Sequence, residues 1–128
     1  MNENSKLLST SLGILYPVIL LFGFYIIMNG HKSPGGGFQG GAILMAVFIC
    51  NYLINQQDTL SLVKLLAFEK IVFLFILLVA LGFLATFANV AFPFFNSTYL
   101  ILMNALIGLK VACGMTLIFY RFIRYEVR

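Results

Sequence analysis

The sequence predicts an all-α integral membrane protein with about four transmembrane helices and with both termini in the cytoplasm. Its 128 residues are 62% hydrophobic, only 9% are charged, and the mean hydropathy is +1.03. Soluble domains are closer to half apolar and a quarter charged. A chain this short cannot bury so much apolar surface in its own core, so lipid must cover a large part of it.

The apolar stretches have the length that a bilayer requires, about 20 residues each. The first is free of charge and contains Pro17, which we expect to kink it. It lacks the small-residue cleavage site of a signal peptide, so we interpret it as a span. The second opens with glycines, the third begins at Glu69, and the fourth contains Lys110. The predicted spans form one transmembrane domain over residues 1–128 and lie near 12–29, 38–55, 69–90 and 97–122.

The three predicted connections differ in character. Residues 30–37 read as a Gly/Pro turn. Residues 56–68 are polar at first and then amphipathic, which is compatible with a short interfacial helix. Residues 91–96 are predicted to form a tight apolar turn around Pro93. We detect no internal repeat.

The basic residues predict the orientation. An even number of spans places both termini and the second connection on one side, and the only basic residue of the other loops is Lys32. The positive-inside rule then puts the richer side in the cytoplasm. The basic residues assigned to that side are Lys6, Lys64, Lys70, Arg121, Arg124 and Arg128.

Several functional classes find no support. The net charge of +4 comes from scattered basic residues and not from a basic stripe, so we expect no nucleic-acid partner. Cys50 and Cys113 lie in apolar runs without a CxxC motif or a Cys/His cluster, which favours two small buried residues over a metal or iron–sulfur site. We find no carboxylate pair, no Ser/His/Asp set and no metal-ligand spacing. The sequence therefore predicts neither a catalytic site nor a cofactor.

The segment HKSPGGGFQGG combines a proline with clustered glycines. It lacks the Lys-Ser/Thr ending of a phosphate loop, and no strand precedes it. One interpretation is a flexible glycine turn. The other is close helix packing, because Gly36 and Gly40, and likewise Gly37 and Gly41, are four residues apart and would form a smooth face at the start of the second helix.

Lys110 is the most unusual residue of the apolar stretches. It lies about 18 Å from either end of its span, at 1.5 Å per residue, which is too far for its stem to reach the interface. A lysine facing lipid at that depth costs at least about 2.5 kcal/mol. We therefore expect it to face protein or water, as a proton- or ion-relay residue, as the partner of a carboxylate from another subunit, or as a structural lysine bonded to carbonyls.

The acids offer Lys110 no partner at a comparable depth. Glu69 is the least remote of them, and we expect it to be an acid at a helix N-terminus, where the helix dipole favours it. A missing partner argues for a multi-subunit assembly. Asn104 and His31 complete the candidates for an ion path, since Asn104 can hydrogen-bond between helices and His31 can titrate near neutral pH.

The string GHKSPGGGFQGG resembles the signature of the MnhB subunit of the Mrp-type (Mnh-type) multisubunit sodium/proton antiporter family. The predicted four-span layout agrees with that family over nearly the whole chain. The resemblance implies a small, non-catalytic, multi-pass subunit in a prokaryotic cell membrane. It further implies assembly with other Mrp-type subunits that move sodium ions and protons. The motif falls on Gly30, His31, Pro34, Gly35, Gly36, Gly37, Phe38, Gly40 and Gly41.

Two alternatives remain open at this point. The same subunit type occurs in redox-driven membrane complexes, such as membrane-bound hydrogenases or ferredoxin-linked oxidoreductases, where hydrogenase or iron–sulfur subunits would be partners. Many stand-alone antiporter members carry an acid before an Ile-Gly pair in the last helix. The absence of an acid from residues 104–110 favours the redox-driven branch. An independent homo-oligomeric channel or transporter is disfavoured because Lys110 has no predicted partner.

Overall fold

A computed structural model describes residues 3–54, 61–87 and 93–126, and it is helical over nearly all of them. The helices are α1 (Glu3–Asn29), α2 (Gly37–Ile54), α3 (Leu62–Phe87) and α4 (Pro93–Glu126). The all-α prediction is confirmed. The Gly/Pro turn is confirmed too, because non-helical backbone joins α1 to α2. α1 continues as one helix through Pro17.

The predicted helix boundaries need two corrections. The third helix does not begin near Glu69 but at Leu62, so the amphipathic stretch expected to be a separate interfacial helix forms the first turns of α3. Its apolar residues continue the helical pattern of the span, and the chain has no helix breaker between the two. Residues 55–60, which include the polar part of that connection, lie outside the described residues, and so do residues 88–92.

The second correction concerns the tight turn predicted over residues 91–96 around Pro93. α4 begins at Pro93, so residues 93–96 form its first turn, where a proline is tolerated because its missing N–H has no partner within the helix.

The described helices pack in the spatial order α1, α2, α4, α3. The α2–α4 contact is the most extensive, α1 packs mainly on α2, and α3 packs on α4. Tyr52 of α2 meets Phe119 and Tyr120 of α4 edge to face, with ring centroids 6.0 and 4.9 Å apart. Together with the contact of Gly37 with Ile107, this shows that α2 and α4 run parallel.

The other neighbours are antiparallel. Gly23 of α1 lies against Leu44 of α2, whereas Ile27 lies against Gly40. At the other side of α4, the rings of Phe83 and Tyr99 stack with centroids 3.9 Å apart. α1 and α3 therefore begin on the side of the bundle where α2 and α4 end.

The buried core is small for the size of the chain. Ile27, Leu44 and Ala112 form its centre, with Ala105 packed against them. The accessible surface is 9137 Å², whereas a soluble protein of this mass exposes about 6,800 Å². Large apolar side chains point outward, for example Leu21 at 75% exposed and Val63 at 77%. This is the surface of a protein that lipid or other subunits cover.

Three of the described helices are long and apolar enough to cross a bilayer, over Lys6–Asn29, Leu62–Ala85 and Ser97–Tyr125. The apolar part of α2, Gly37–Leu53, is shorter. α2 lies between α1 and α4, so its glycine-rich beginning meets protein on two sides.

Candidate functional site

An ion pair joins α3 to α4. The Nζ of Lys110 donates a hydrogen bond to the Oε1 of Glu69, and the two side chains are 33% and 21% exposed. This overturns two expectations from the sequence. Lys110 has an acid partner within the chain, and Glu69 is not an acid at a helix N-terminus, because α3 begins about two turns before it.

The start of α3 explains why Glu69 reaches this level. Leu62 marks the beginning of the helix, which places Glu69 about 10 Å along its axis at 1.5 Å per residue. Because α3 and α4 are antiparallel, this height on α3 coincides with the middle of α4. A weak signal was present in the sequence, because residues 62–68 are apolar except for Lys64 and are compatible with the first two turns of the span.

An aromatic ring completes the surroundings of the lysine. Phe73 lies one turn after Glu69, on the same face of α3, and the Nζ of Lys110 is 4.5 Å from the centroid of its ring. The negative face of a phenyl ring attracts an ammonium group, by about 0.5–2 kcal/mol depending on desolvation. Glu69 and Phe73 thus hold the lysine head group against α3.

The ion pair lies in an open groove, which we call the α3–α4 groove. It has a volume of about 460 Å³, α4 forms its floor, and α3 and Phe38 of α2 form its sides. The α4 residues along it recur every three or four positions and so share one helix face. The residues that line it are Phe38, Glu69, Phe73, Ile76, Ile107, Lys110, Val111, Gly114, Met115 and Ile118.

The groove is apolar apart from the ion pair. Gly114, one turn after Lys110, leaves the floor open, because a Cβ added there would have no atom within 4 Å. The arrangement is therefore an acid–base pair in a largely apolar trough, open on the side away from α4.

The other two candidates for an ion path lie apart from this pair. Asn104 packs against the turn between α1 and α2. Its amide would lie 3.0 Å from a Cβ at Gly30 and 3.6 Å from one at Gly36. His31 is half-buried in the same turn, and its Nδ1 has no hydrogen-bond partner among the described residues. The structure thus pairs Glu69 with Lys110 and places Asn104 beside the glycine turn.

The glycines of the motif face two different helices. A Cβ at Gly41 would lie 2.5 Å from the carbonyl oxygen of Gly108, and a Cβ at Gly37 would lie 2.6 Å from that of Asn104, so both face α4. A Cβ at Gly40 would collide with Ile27 of α1. Gly36 is different, since a Cβ there would make only ordinary contacts. The motif therefore packs α2 closely against both α1 and α4.

Sequence reasoning missed two residues in this packing. Gly23 of α1 and Gly108 of α4 are the glycines against which the motif packs, and each is close to the α2 backbone. A weak signal was present for Gly108, because Ala112 follows it four residues later and small residues at that spacing favour close helix contact. Among the described residues, no three His, Cys, Asp or Glu side chains are grouped in a way that could hold a metal ion.

Comparison with known proteins gives a family match over nearly the whole chain. Residues 7–127 match the family model described as a domain related to the MnhB subunit of Na+/H+ antiporters. A Staphylococcus saprophyticus protein named as antiporter subunit mnhB2 is 32% identical over 87% of this chain and 74% of its own length.

A second relative matches a shorter region. A Staphylococcus aureus (strain Newman) protein of the same name is 40% identical over 48% of this chain, and the match spans only 44% of that relative's length. No solved structure matches the chain significantly. The family match covers nearly the whole chain, and we conclude that this multi-pass membrane protein belongs to the family of the MnhB subunit of Na+/H+ antiporters.

Proposed function

We propose that the chain is a small accessory subunit of a Mnh/Mrp-type sodium/proton antiporter in a prokaryotic cell membrane, and that it helps to build the ion path. The observation that carries this proposal is the Lys110–Glu69 ion pair in the open α3–α4 groove. The relatives are named as antiporter subunits, which supports the same role.

The groove supports a multi-subunit assembly. Both charged side chains belong to helices that are long and apolar enough to span a bilayer, and both are partly exposed toward the groove. Charged groups at membrane depth face protein or water and not lipid tails, because lipid cannot replace their hydration. Another subunit, or water held by one, is therefore expected to cover the groove. In the sequence analysis, the argument for an assembly was that Lys110 lacked an acid partner. The Lys110–Glu69 pair removes that argument, and the exposure of the pair toward the groove replaces it.

The ion pair suits proton transfer. A carboxylate in hydrogen-bond contact with an ammonium group can share or pass a proton, and a change in charge at one group alters the proton affinity of the other. Phe73 holds the ammonium group of Lys110 beside Glu69 through the attraction of its ring.

The assembly partners follow from the same proposal. We infer association with other Mnh/Mrp subunits, including the large antiporter-like ones, with sodium ions and protons as the transported species. The lack of an acid in residues 104–110 was the feature that favoured a redox-driven complex. Glu69 now supplies an acid at the level of Lys110, so that feature no longer separates the two hosts.

Two measurements test the proposal. Mass spectrometry of the chains that co-purify in mild detergent should find Mnh/Mrp subunits; hydrogenase or iron–sulfur subunits would indicate the redox-driven alternative, and a single polypeptide would indicate a homo-oligomer. In membrane vesicles, Lys110→Met should abolish sodium-driven proton movement while the complex stays assembled. Lys70→Met, at an exposed lysine of the same helix as Glu69, is the matched control. Full activity of Lys110→Met would remove the pair from the mechanism.

A further inference from the structure

The α1–α2 pair and the α3–α4 pair end at different heights on the side of the bundle opposite the termini. α1 ends at Asn29 and α2 begins at Gly37, so the turn over residues 30–36 caps this pair. Gly37 packs against Asn104 of α4. Because α4 begins at Pro93, it continues about 16 Å beyond this level at 1.5 Å per residue.

The part of the α3–α4 pair that continues beyond the turn is apolar. The stretch of α4 that suits a membrane begins at Ser97, about 10 Å of helix before Asn104. Phe83 and Tyr99 stack there, and Leu84 and Leu100 point outward, 65% and 45% exposed. These leucines belong at the level of the lipid tails. If the lipid tails extend to Ser97 of α4, the turn over residues 30–36 lies about 10 Å inside the apolar layer.

Lipid tails are an unsuitable neighbour for this turn. Its backbone is not helical, so its amides and carbonyls are not all paired within it. Lys32 and Ser33 are exposed, and only a few turn contacts tie them down, such as the bonds that the Ser33 amide and hydroxyl donate to the carbonyl oxygen of Asn29. A lysine stem can reach several ångströms toward water, but the backbone of the turn cannot.

We propose that the space left by this difference in height holds a water-filled recess. Residues 31–36 form its floor, and the ends of α3 and α4 form one wall. Irregular backbone at membrane depth occurs where protein buries it or where it lines a water-filled cavity. Lys32 and Ser33 are exposed and polar, so water suits them as a neighbour and lipid tails do not. The turn carries Lys32 and no acid, so the recess suits water and protons rather than metal cations.

The α3–α4 groove begins one helical turn of α4 away from the residue that touches the turn over residues 30–36. Asn104 touches the turn, Ile107 follows on the next turn of α4 and begins the groove beside Phe38, and Lys110 lies one turn further. The recess is therefore the entrance through which protons from the side opposite the termini reach the Lys110–Glu69 pair. This last step rests on the proposed function, whereas the presence of water in the recess does not.

Thiol labelling tests for the water directly. Ser33→Cys changes one atom in the turn, and Leu100→Cys places a thiol on α4 at the level of the apolar wall. Each full-length variant is exposed, in its native membrane and with its other subunits, to a membrane-impermeant methanethiosulfonate. The wild-type chain supplies the baseline for Cys50 and Cys113. Ser33→Cys should react about tenfold faster than Leu100→Cys or more, because the reactive thiolate forms in water.

The outcomes separate the possibilities. Equal, fast labelling at both positions would mean that the ends of α3 and α4 stand in water, and no labelling at Ser33→Cys would mean that protein seals the turn; either result overturns the recess. The labelled Ser33→Cys complex should also lose sodium/proton exchange. Unchanged exchange after complete labelling would overturn the role as an entrance. A failure of the proposed function is seen separately, as full activity of Lys110→Met without any labelling.

Discussion

Gly41 of α2 lies so close to Gly108 of α4 that a Cβ on Gly41 would be 2.5 Å from the carbonyl oxygen of Gly108. The neighbour is backbone and not the end of a flexible side chain, so it cannot move aside without shifting a helix. The motif thus brings the two helices together at the level where the α3–α4 groove begins, and it determines the position of Lys110 relative to the turn.

Gly41→Ala should lower the free energy of unfolding of the purified chain by about 1–3 kcal/mol, which is the usual range for overpacking a well-packed site. Thermal unfolding measures this change. Gly36→Ala and Gly82→Ala are the controls. The first would make only ordinary contacts and the second would have nothing within 4 Å. The amount of chain in the membrane should not change, because insertion depends on hydrophobicity. Equal stability of all three variants would show that the close approach does not hold the bundle.

Leucine substitutions at two glycines of the motif extend the test to assembly. Gly40→Leu should disrupt assembly with other subunits more than insertion, because it separates α1 from α2. Gly36→Leu should have the weaker effect, since α2 begins only at the next residue. The readout is the amount of intact complex on a native gel, with the membrane-inserted chain as the reference. A Gly40→Leu complex that forms and transports normally would contradict the prediction.

The ion pair should show coupling in a double-mutant cycle. Glu69→Gln and Lys110→Met alone should each destabilise the fold by about 1–3 kcal/mol, because each leaves a charge in an apolar groove without its partner. Partial exposure of both side chains keeps this below the cost for a fully buried pair. The double variant should lose less than the sum of the single ones in thermal unfolding. Strict additivity would mean that the contact contributes no stability.

The two substitutions of Lys110 distinguish its possible roles in transport. Arg keeps the charge, but it does not release a proton near neutral pH. If Lys110 relays protons, Lys110→Arg and Lys110→Met should both reduce sodium/proton exchange in vesicles. If it only holds the Glu69 carboxylate, Lys110→Arg should retain part of the exchange and Lys110→Met should lose it. We expect the first pattern, and normal exchange in Lys110→Arg would contradict it.

Reporter fusions test the orientation in the membrane. A reporter fused at Arg128 should be cytoplasmic, and one inserted at Ser33 should lie on the other side, because basic residues are concentrated on the side of the termini. The antiparallel packing of α1 with α2 and of α3 with α4 requires that the two reporters differ. An external reporter at Arg128 would reverse the orientation without changing the bundle.

The sequence by itself determined the membrane class, the helical fold, the glycine turn and the family resemblance. Each of these depends on local properties: the length of an apolar run, the backbone freedom of glycine, the fixed dihedral of proline. It also determined that Lys110 needs a polar neighbour, since its depth follows from counting residues along one helix.

Only the tertiary structure decided which neighbour that is. The Lys110–Glu69 pair depends on where α3 begins and on its antiparallel register with α4. Lys64 interrupts the apolar residues before Glu69 and Lys70 directly follows it, so hydropathy gives only a weak signal for that starting point. In the same way, adjacent glycines at 40 and 41 face different helices, because successive residues of a helix point about 100° apart. Contacts between helices depend on relative heights and rotations, and the pattern along one helix does not contain them.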